Sequence, residues 1–238
     1  WLDIALEERV PFLVTALGNP DWVVDRAGPA GVTVYHDVTS RRWAEKALDG
    51  GVDGFICVNN RAGGHAGTLS LQGLLDDIGP LGQPLVCAGG IGTPEEFSGA
   101  IAMGYTGVQL GTRFIASAEC NAHTDYKQAI IAAGEQDIVL SEKISGVPVS
   151  VIETPYIKSV GTRAGPLARR MLRGHRTKHW MRTLYSLQSI WKLKRASLQG
   201  MHYRDIFQAG KSVAGIHAVQ PVADIVAEYA RALHDRRC

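Results

Sequence analysis

The residue with the clearest chemical potential is His65, which lies in the run Ala62-Gly63-Gly64-His65-Ala66-Gly67, a few residues after the apolar stretch Gly54–Val58. An imidazole has an ordinary pKa of about 6.5, so a histidine at a ligand site can accept a proton from carbon at neutral pH. Most single histidines are structural or solvated. The preceding strand and the neighbouring glycines favour a role for His65, because they place it at the face where α/β barrels hold their active sites.

Two glycine turns form the second chemical feature. Gly89-Gly90 follows the apolar run Leu85–Ala88, and Gly111-Thr112 follows a second run, Thr106–Leu110. Backbone N–H groups of such turns can bind an anion beside a helix N-terminus without any charged side chain. The spacing predicts a phosphate site, although a Gly-Gly pair also serves as an ordinary turn.

These residues require a regular scaffold, and the sequence predicts one. Thr93, Pro94 and Glu96 have the spacing of a capping box with proline at the first helical position, and Gly104 ends that helix. Five apolar strands alternate with helical segments, which indicates a parallel sheet with right-handed crossovers. The predicted strands are Val10–Leu17, Val32–Val38, Gly54–Val58, Leu85–Ala88 and Thr106–Leu110.

The strand–helix alternation ends after Phe114. We predict two domains, residues 1–132 with the sheet and residues 133–238 as a mainly helical basic extension packed on it. The predicted elements of this part are a helix over Cys120–Ala133, an extended stretch over Val147–Ile152, basic helices over Gly165–Ser197 and an amphipathic helix over Pro221–Leu233. Apolar residues at helical spacing in the basic helices favour core packing, with a cap over the barrel mouth as the alternative.

Composition indicates a globular protein, with 45% hydrophobic and 20% charged residues among 238. No apolar run approaches the roughly 18 residues of a membrane span, so we expect a cytoplasmic protein. The four cysteines lack metal-ligand spacing, and we expect reduced thiols and no metal site. We expect a small-molecule substrate rather than nucleic acid or membrane, and a homodimer stays open. Residues 158–211 hold 13 Lys and Arg against one acid, Asp205, which indicates a solvated face, an acidic partner or a phosphate-bearing substrate.

Three motifs together resemble one family. Ala88-Gly89-Gly90-Ile91 and Gln109-Leu110-Gly111-Thr112-Arg113-Phe114, with the histidine run upstream, are similar in kind and order to those of the nitronate monooxygenases, formerly called 2-nitropropane dioxygenases. The resemblance covers about residues 8 to 120. It implies flavin mononucleotide (FMN) bound on a (β/α)8 TIM barrel, and the flavin-dependent enoyl-acyl-carrier-protein reductases are close relatives.

The resemblance also implies roles for individual residues. His65 would be the catalytic base over the flavin, and Gly63 would lie against the flavin. Arg113 would either balance the phosphate or serve a structural role. The cofactor-binding residues implied in addition to Gly63 are Gly89, Gly90, Gln109, Leu110, Gly111 and Thr112.

The sequence departs from the family before the histidine run. Many relatives have a Gln and an acidic residue there, whereas this chain reads Val58-Asn59-Asn60-Arg61, which puts the substrate class in doubt. His36 and Asp37 also stand in a strand position that is normally apolar. Either could contact flavin or substrate, and an ordinary hydrogen-bonded pair at a strand end is the alternative that we favour.

Five strand–helix units do not close a barrel of eight. The sequence begins at Trp1, and the resembling family places three more units ahead of this point, so we expect the sequence to lack the first part of the barrel. The leading function is FMN-dependent oxidative denitrification of nitronates with oxygen. The alternatives are an FMN-dependent NAD(P)H reductase of enoyl thioesters or quinones, and a non-catalytic phosphate-binding barrel.

Overall fold

The computed structural model describes residues 1–142, 147–163 and 206–235. The chain divides into two compact units. Their bounds differ from those of the predicted domains 1–132 and 133–238, and the division into these two domains remains a prediction. The first unit comprises Trp1–Arg61, Gly67–Leu110 and Ala227–Cys238. The second comprises Ala62–Ala66 and Gly111–Val226.

A five-stranded parallel sheet forms the first unit, in the order β1-β2-β3-β4-β5. The predicted α/β class and the parallel pairing are therefore confirmed. The strands are β1 (Phe12–Thr15), β2 (Thr33–Val38), β3 (Gly54–Val58), β4 (Leu85–Ala88) and β5 (Gly107–Gln109).

The two faces of the sheet differ. In the register, His36 pairs with Phe55, and Asp37 pairs with Ile56. Because side chains alternate along a strand, we call these two surfaces the His36 face and the Asp37 face. The His36 face is buried, and its fully buried residues are Val34, Val38, Phe55, Cys57 and Cys87.

The Asp37 face is more open at the edge of the sheet. Phe12 and Val14 of β1 lie on it with 43% and 47% of their surface exposed. The ring of Tyr35 covers the strand position of Gly54, where an added Cβ would lie 2.4 Å from the ring. This contact agrees with the register, which pairs Tyr35 with Gly54.

Helices follow the strands much as predicted. Thr93 accepts a hydrogen bond from the N–H of Glu96 at 3.2 Å, and the Glu96 carboxylate accepts from the N–H of Thr93 at the same distance, so the capping box is confirmed. Ser40 is the N-cap of the helix over Arg41–Asp49 and forms no side-chain capping hydrogen bond. The helices of this unit are α1 (Leu2–Glu7), α2 (Asp21–Ala27), α3 (Arg41–Asp49), α4 (Leu71–Ile78), α5 (Pro94–Met103) and the second half of α9 (Val222–Asp235).

The second unit contains an antiparallel pair, β6 (Ile138–Ser141) with β7 (Val149–Ile152). The predicted extended stretch is thus a strand, and the predicted basic helices over 165–197 lie outside the described residues. Its helices are α6 (Thr112–Ile115), α7 (Thr124–Ala132), α8 (Pro155–Val160), a 3-10 helix over Lys211–Gly215 and the start of α9. Its core consists of Ala116, Ile130, Ala133, Ile152, Phe207, Ala209, Val213 and Ile216.

Within the described ranges, no helix is long and apolar enough to cross a membrane. The same ranges contain no group of three or more His, Cys, Asp or Glu side chains that could hold a metal ion. Cys57 and Cys87 pair in the register of neighbouring strands as free thiols. Burial raises the pKa of each to about 12, so both thiols stay protonated.

Candidate active site

The loop that carries His65 is fixed by backbone contacts inside the second unit. The carbonyl of Gly64 accepts a hydrogen bond from the N–H of Ser150 at 2.8 Å. A Cβ added to Gly63 would lie 2.9 Å from the backbone nitrogen of Gly210 and 3.1 Å from the carbonyl carbon of Ala209. Glycine at position 63 is therefore required by the protein's own packing, whatever else it contacts.

The side chain of His65 is exposed on this fixed loop. It forms no hydrogen bond or ion pair with the residues that the structure describes. A ring nitrogen is accordingly left to accept a proton from another molecule, which is the property that a general base needs.

Thr112 occupies the first position of α6. Its hydroxyl oxygen accepts a hydrogen bond from the N–H of Gly210 at 3.1 Å, and the residue is 8% exposed. Because this bond uses a lone pair of the hydroxyl, its proton remains available to a ligand oxygen. The second unit thus brings two predicted site residues, Gly63 and Thr112, to the same backbone group of Gly210.

The N–H groups of Gly111 and Thr112 find no acceptor among the described residues. This is ordinary for the first turn of a helix, whose N–H groups point out of its start. Such a set of donors, next to a hydroxyl, matches the oxygens of a phosphate group.

Arg113 has a structural role. It is 4% exposed, and its Nη1 donates to the carbonyl oxygens of Ala116 at 3.5 Å and Ala218 at 3.4 Å. Its Nη2 donates to Oε1 of Gln220. These bonds connect α6 to the segment before α9, which favours the structural alternative over a phosphate contact.

In the first unit, the Gly89-Gly90 turn is held by Asn59. The buried Asn59 side chain donates from Nδ2 to the carbonyl oxygen of Gly89 at 2.8 Å, and its Oδ1 accepts from the N–H of Arg61 at 2.8 Å. The two groups of a trans peptide point in opposite directions. The N–H of Gly90 is consequently directed away from Asn59, and it has no acceptor among the described residues.

Arg61 lies directly over this turn. A Cβ added to Gly90 would come within 2.5 Å of Arg61 Nε and 2.7 Å of its Cβ, and Gly90 has a φ of 77°. Nη2 of Arg61 lies 3.7 Å from Oε1 of Glu96. Glu96 also accepts the N–H of Gly92 at 2.6 Å, so the start of α5 already has its own anion. A phosphate would therefore use the N–H groups of the glycine turn rather than those of α5.

Gln109 is the last residue of β5, and Leu110 follows it. Ala88 pairs with Gln109 in the register, so the carboxyl ends of β4 and β5 lie at the same edge of the sheet. Gln109 is exposed and lies on the Asp37 face. The assignment of these residues to a flavin stays a prediction.

His36 and Asp37 have separate surroundings. Nδ1 of the buried His36 lies 2.7 Å from Oγ1 of Thr15, and burial lowers the pKa of His36. Asp37 projects to the opposite face. Its Oδ1 is enclosed and has no hydrogen-bond partner among the described residues, and burial raises its pKa to about 6. The hydrogen bond between His36 and Thr15 of the neighbouring strand accounts for a histidine at this position. No such bond with a described residue accounts for the carboxyl group of Asp37.

The comparison with known families agrees with these features. The sequence model for nitronate monooxygenase matches residues 1–231. The chain belongs to the nitronate monooxygenase family.

The curated proteins that are similar to this chain have names that indicate different activities. A hydroxy-methyl-oxo-octahydroindene carboxyl-CoA dehydrogenase of Rhodococcus jostii is 31% identical over 163 residues, which are 67% of this chain and 45% of that protein. A probable nitronate monooxygenase of Staphylococcus saprophyticus is 30% identical over 169 residues, 66% of this chain and 48% of that protein. The chain spans about half the length of these curated relatives.

The fold is shared with a solved structure, FabK from Thermotoga maritima. The TM-score is 0.79 at 26% sequence identity, and the match covers 99% of this chain and 72% of that chain. This likeness over nearly all of the chain agrees with the parallel sheet.

Two residues of the site could not be assigned from the sequence motifs. Asn59 follows β3 as a polar residue at the end of an apolar run, and that position was the only signal of its contact with Gly89. Gly210 begins a stretch of small residues, and nothing in the spacing indicates its bond to Thr112.

Proposed function

We propose that this family member is an FMN-dependent oxidoreductase that oxidatively denitrifies alkyl nitronates with oxygen. The observation that carries the proposal is the orientation of the Gly89–Gly90 peptide. Asn59 binds its carbonyl and leaves its N–H to a ligand. Because a phosphate offers only acceptor oxygens to a backbone, this arrangement supports an anionic phosphate group as the ligand.

The residues proposed to hold FMN are Gly63, Gly89, Gly90, Gln109, Leu110, Gly111 and Thr112. In the first unit, the unbonded N–H group of Gly90 suits an acceptor oxygen of a phosphate. In the second unit, the unbonded N–H groups of Gly111 and Thr112 and the hydroxyl proton of Thr112 suit such oxygens as well.

Bound flavin would supply the redox chemistry, because it can accept electrons from a nitronate and pass them to oxygen. His65 would remove the carbon-bound proton of a neutral nitroalkane and hold it on a ring nitrogen. Its exposed, unbonded imidazole and its fixed loop suit that step, since a base must reach its proton in a defined geometry. A substrate that arrives as the nitronate needs no such base.

A second candidate function is NAD(P)H-dependent reduction of an enoyl thioester or a quinone. The similarity to a CoA-thioester dehydrogenase favours it. So does Arg61, a cation in the stretch where many relatives have a Gln and an acidic residue, because acyl carriers are negatively charged. The basic segment that also motivates this candidate lies largely outside the described residues.

We also propose that the sheet is the part of a (β/α)8 barrel that holds its last five strand–helix units. The shared fold with FabK and the length of the curated relatives support this arrangement. The test is a structure of a protein of this family with the full length of the curated relatives. The proposal expects three further strands there, which pair with the outer edges of β1 and β5.

The absorbance spectrum of the purified protein tests the flavin, and anaerobic additions test the substrate. The proposal expects a yellow protein whose flavin is bleached by a nitronate. Bleaching by NADH or NADPH and no response to nitronate would transfer the assignment to the second candidate. A colourless protein that does not take up added FMN would support a non-catalytic phosphate-binding barrel.

A further inference from the structure

Asp37 is a carboxyl group without an evident structural purpose. It is the fifth residue of β2, and its neighbours across the strands on the Asp37 face are apolar, Ile56 and then Val86. Oδ1 is enclosed without a hydrogen-bond partner among the described residues. A buried carboxyl oxygen left unbonded destabilises a fold, so its presence needs a reason.

The surrounding charges do not supply that reason. Burial is the only cause that raises the pKa of Asp37, and no charged residue of the adjacent α2 or α3 contributes to it. On the Asp37 face the neighbouring titratable group is Tyr35, whose pKa is also raised, first by burial and then by Asp53. His36 and Cys57 project to the other face, and β1 carries no ionisable side chain. No described cation is present to hold the carboxylate ionised.

We propose that Asp37 is a substrate-binding residue that acts in its protonated form, donating a hydrogen bond to an oxygen of the nitro or nitronate group. This inference rests on the proposed function and adds to it the residue that recognises the substrate oxygen. Gln109, a proposed FMN residue, lies on the same face of the sheet, so ligand and carboxyl share one surface.

The chemistry suits an oxygen on which negative charge develops. A carboxylic acid kept neutral in apolar surroundings is a strong donor, and enzymes use such acids to stabilise oxyanions. When the proton leaves the carbon atom, the charge moves to the nitro oxygens. A protonated Asp37 would stabilise that charge without giving up its proton, so the step involves no covalent change at Asp37.

The test uses nitrate as the probe, because it is a planar, redox-inert anion with the oxygen arrangement of a nitronate. Nitrate binding to wild type and to every variant is measured between pH 5.5 and 8 by isothermal titration calorimetry. In proteins that keep Asp37 it is also followed by the carboxyl ¹³C shift of that residue, and in flavin-loaded protein by the flavin absorbance. The variants are Asp37→Asn, which keeps a donor at every pH, and Asp37→Leu, which removes it. Asp49→Asn, at an exposed aspartate on α3, is the matched control.

For a pKa of about 6, we expect wild-type protein to bind nitrate about 80-fold more weakly at pH 8 than at pH 5.5. Asp37→Asn should bind with little change over this range, Asp37→Leu should bind weakly throughout, and Asp49→Asn should follow wild type. Equal binding by wild type and Asp37→Leu at every pH would overturn the proposal. If Asp37→Leu does not fold, a pH dependence shared by wild type and Asp37→Asn would overturn it instead.

The flavin readout separates this inference from the proposed function. Protein that binds no flavin but shows the Asp37 shift with nitrate would contradict the cofactor and retain the anion site. If flavin-loaded protein shows no change in the Asp37 shift or in the flavin absorbance when nitrate is added, the role of Asp37 is contradicted. The proposed cofactor is then still supported.

Discussion

The backbone N–H of Gly210 donates a hydrogen bond to the hydroxyl oxygen of Thr112 over 3.1 Å, although the two residues lie 98 positions apart. The same N–H group lies against Gly63, the glycine two residues before His65. Gly210 therefore fixes the direction of the Thr112 hydroxyl and the path of the histidine loop at once. A change at Thr112 should affect both stability and ligand binding.

Thr112→Val should weaken FMN binding about 5- to 20-fold, since one hydrogen bond to the phosphate is lost. It should also lower the free energy of unfolding by about 1–3 kcal/mol, because the buried N–H of Gly210 loses its acceptor. Thr112→Ser, which keeps the hydroxyl, should retain most of the FMN affinity and most of the unfolding free energy of wild type. Flavin fluorescence titration measures FMN binding, and urea unfolding measures stability. Equal FMN affinity in wild type, Thr112→Val and Thr112→Ser would show that Thr112 does not contact the phosphate.

Gly111 and Gly63 should respond to alanine in opposite ways. A Cβ at Gly111 has no atom of the described protein within 4 Å, and its φ of −106° suits any residue. Gly111→Ala should leave the unfolding free energy within about 0.5 kcal/mol of wild type while weakening FMN binding, since only the ligand needs the space. Gly63→Ala should destabilise the protein by about 1–3 kcal/mol, because its Cβ would lie 2.9 Å from Gly210. Undiminished FMN affinity in Gly111→Ala would show that no ligand approaches that turn.

Asn59→Ala should cost about 2–3 kcal/mol of unfolding free energy, since it leaves the Gly89 carbonyl and the Arg61 N–H without their side-chain partner. It should also weaken FMN binding, because the Gly89–Gly90 peptide is then free to rotate. Asn60→Ala is the matched control at the neighbouring, exposed asparagine. Should both variants behave alike, the orientation of the turn would not depend on Asn59.

The pKa of Asp37 predicts a pH dependence of stability. It is raised from 3.8 to about 6, so between these values the folded state binds the proton more tightly than the unfolded state does. The free energy of unfolding should therefore fall as the pH rises through this window and stay low above it, by up to about 3 kcal/mol. His36, whose pKa is lowered, contributes with the opposite sign. Because Asp37→Asn keeps His36, the difference between this variant and wild type isolates Asp37.

That difference should be near zero at pH 4 and should favour Asp37→Asn above pH 6. Urea unfolding at four or five pH values gives the profile, and Asp49→Asn should show no such crossover. A constant difference across the range would mean that Asp37 ionises in the folded protein as it does in the unfolded chain.

Local features of the fold were predictable from the sequence. The bounds of β3 and β4 agree residue for residue with the prediction, because each is a short run whose end is marked by glycine or by a change of polarity. α7 begins at Thr124 rather than at Cys120, where we had placed its start. His123 is its N-cap and accepts the N–H of Asp125 at 3.2 Å, and a histidine is not among the residues that usually mark a helix start.

Long-range contacts were not predictable. The alternation along β2 requires His36 and Asp37 to project to opposite faces, yet it does not tell which face is enclosed. Asn59 and Gly89 are 30 residues apart, so only the pairing of β3 with β4 brings them together. Motifs therefore located the glycine turns and His65, whereas the residues that orient them became visible only in three dimensions.

The most direct measurement of the proposed chemistry compares two substrates in the variant His65→Asn. The account predicts that this variant keeps its flavin, because the proposed phosphate donors lie elsewhere. It predicts a loss of about 10²- to 10⁴-fold in kcat/KM for a neutral nitroalkane, the usual contribution of a general base, and nearly unchanged turnover of the pre-formed nitronate. Equal losses on both substrates, or no loss on either, would contradict the role of His65 as the base. No turnover of either substrate by the unmutated, flavin-loaded protein would contradict the nitronate chemistry itself.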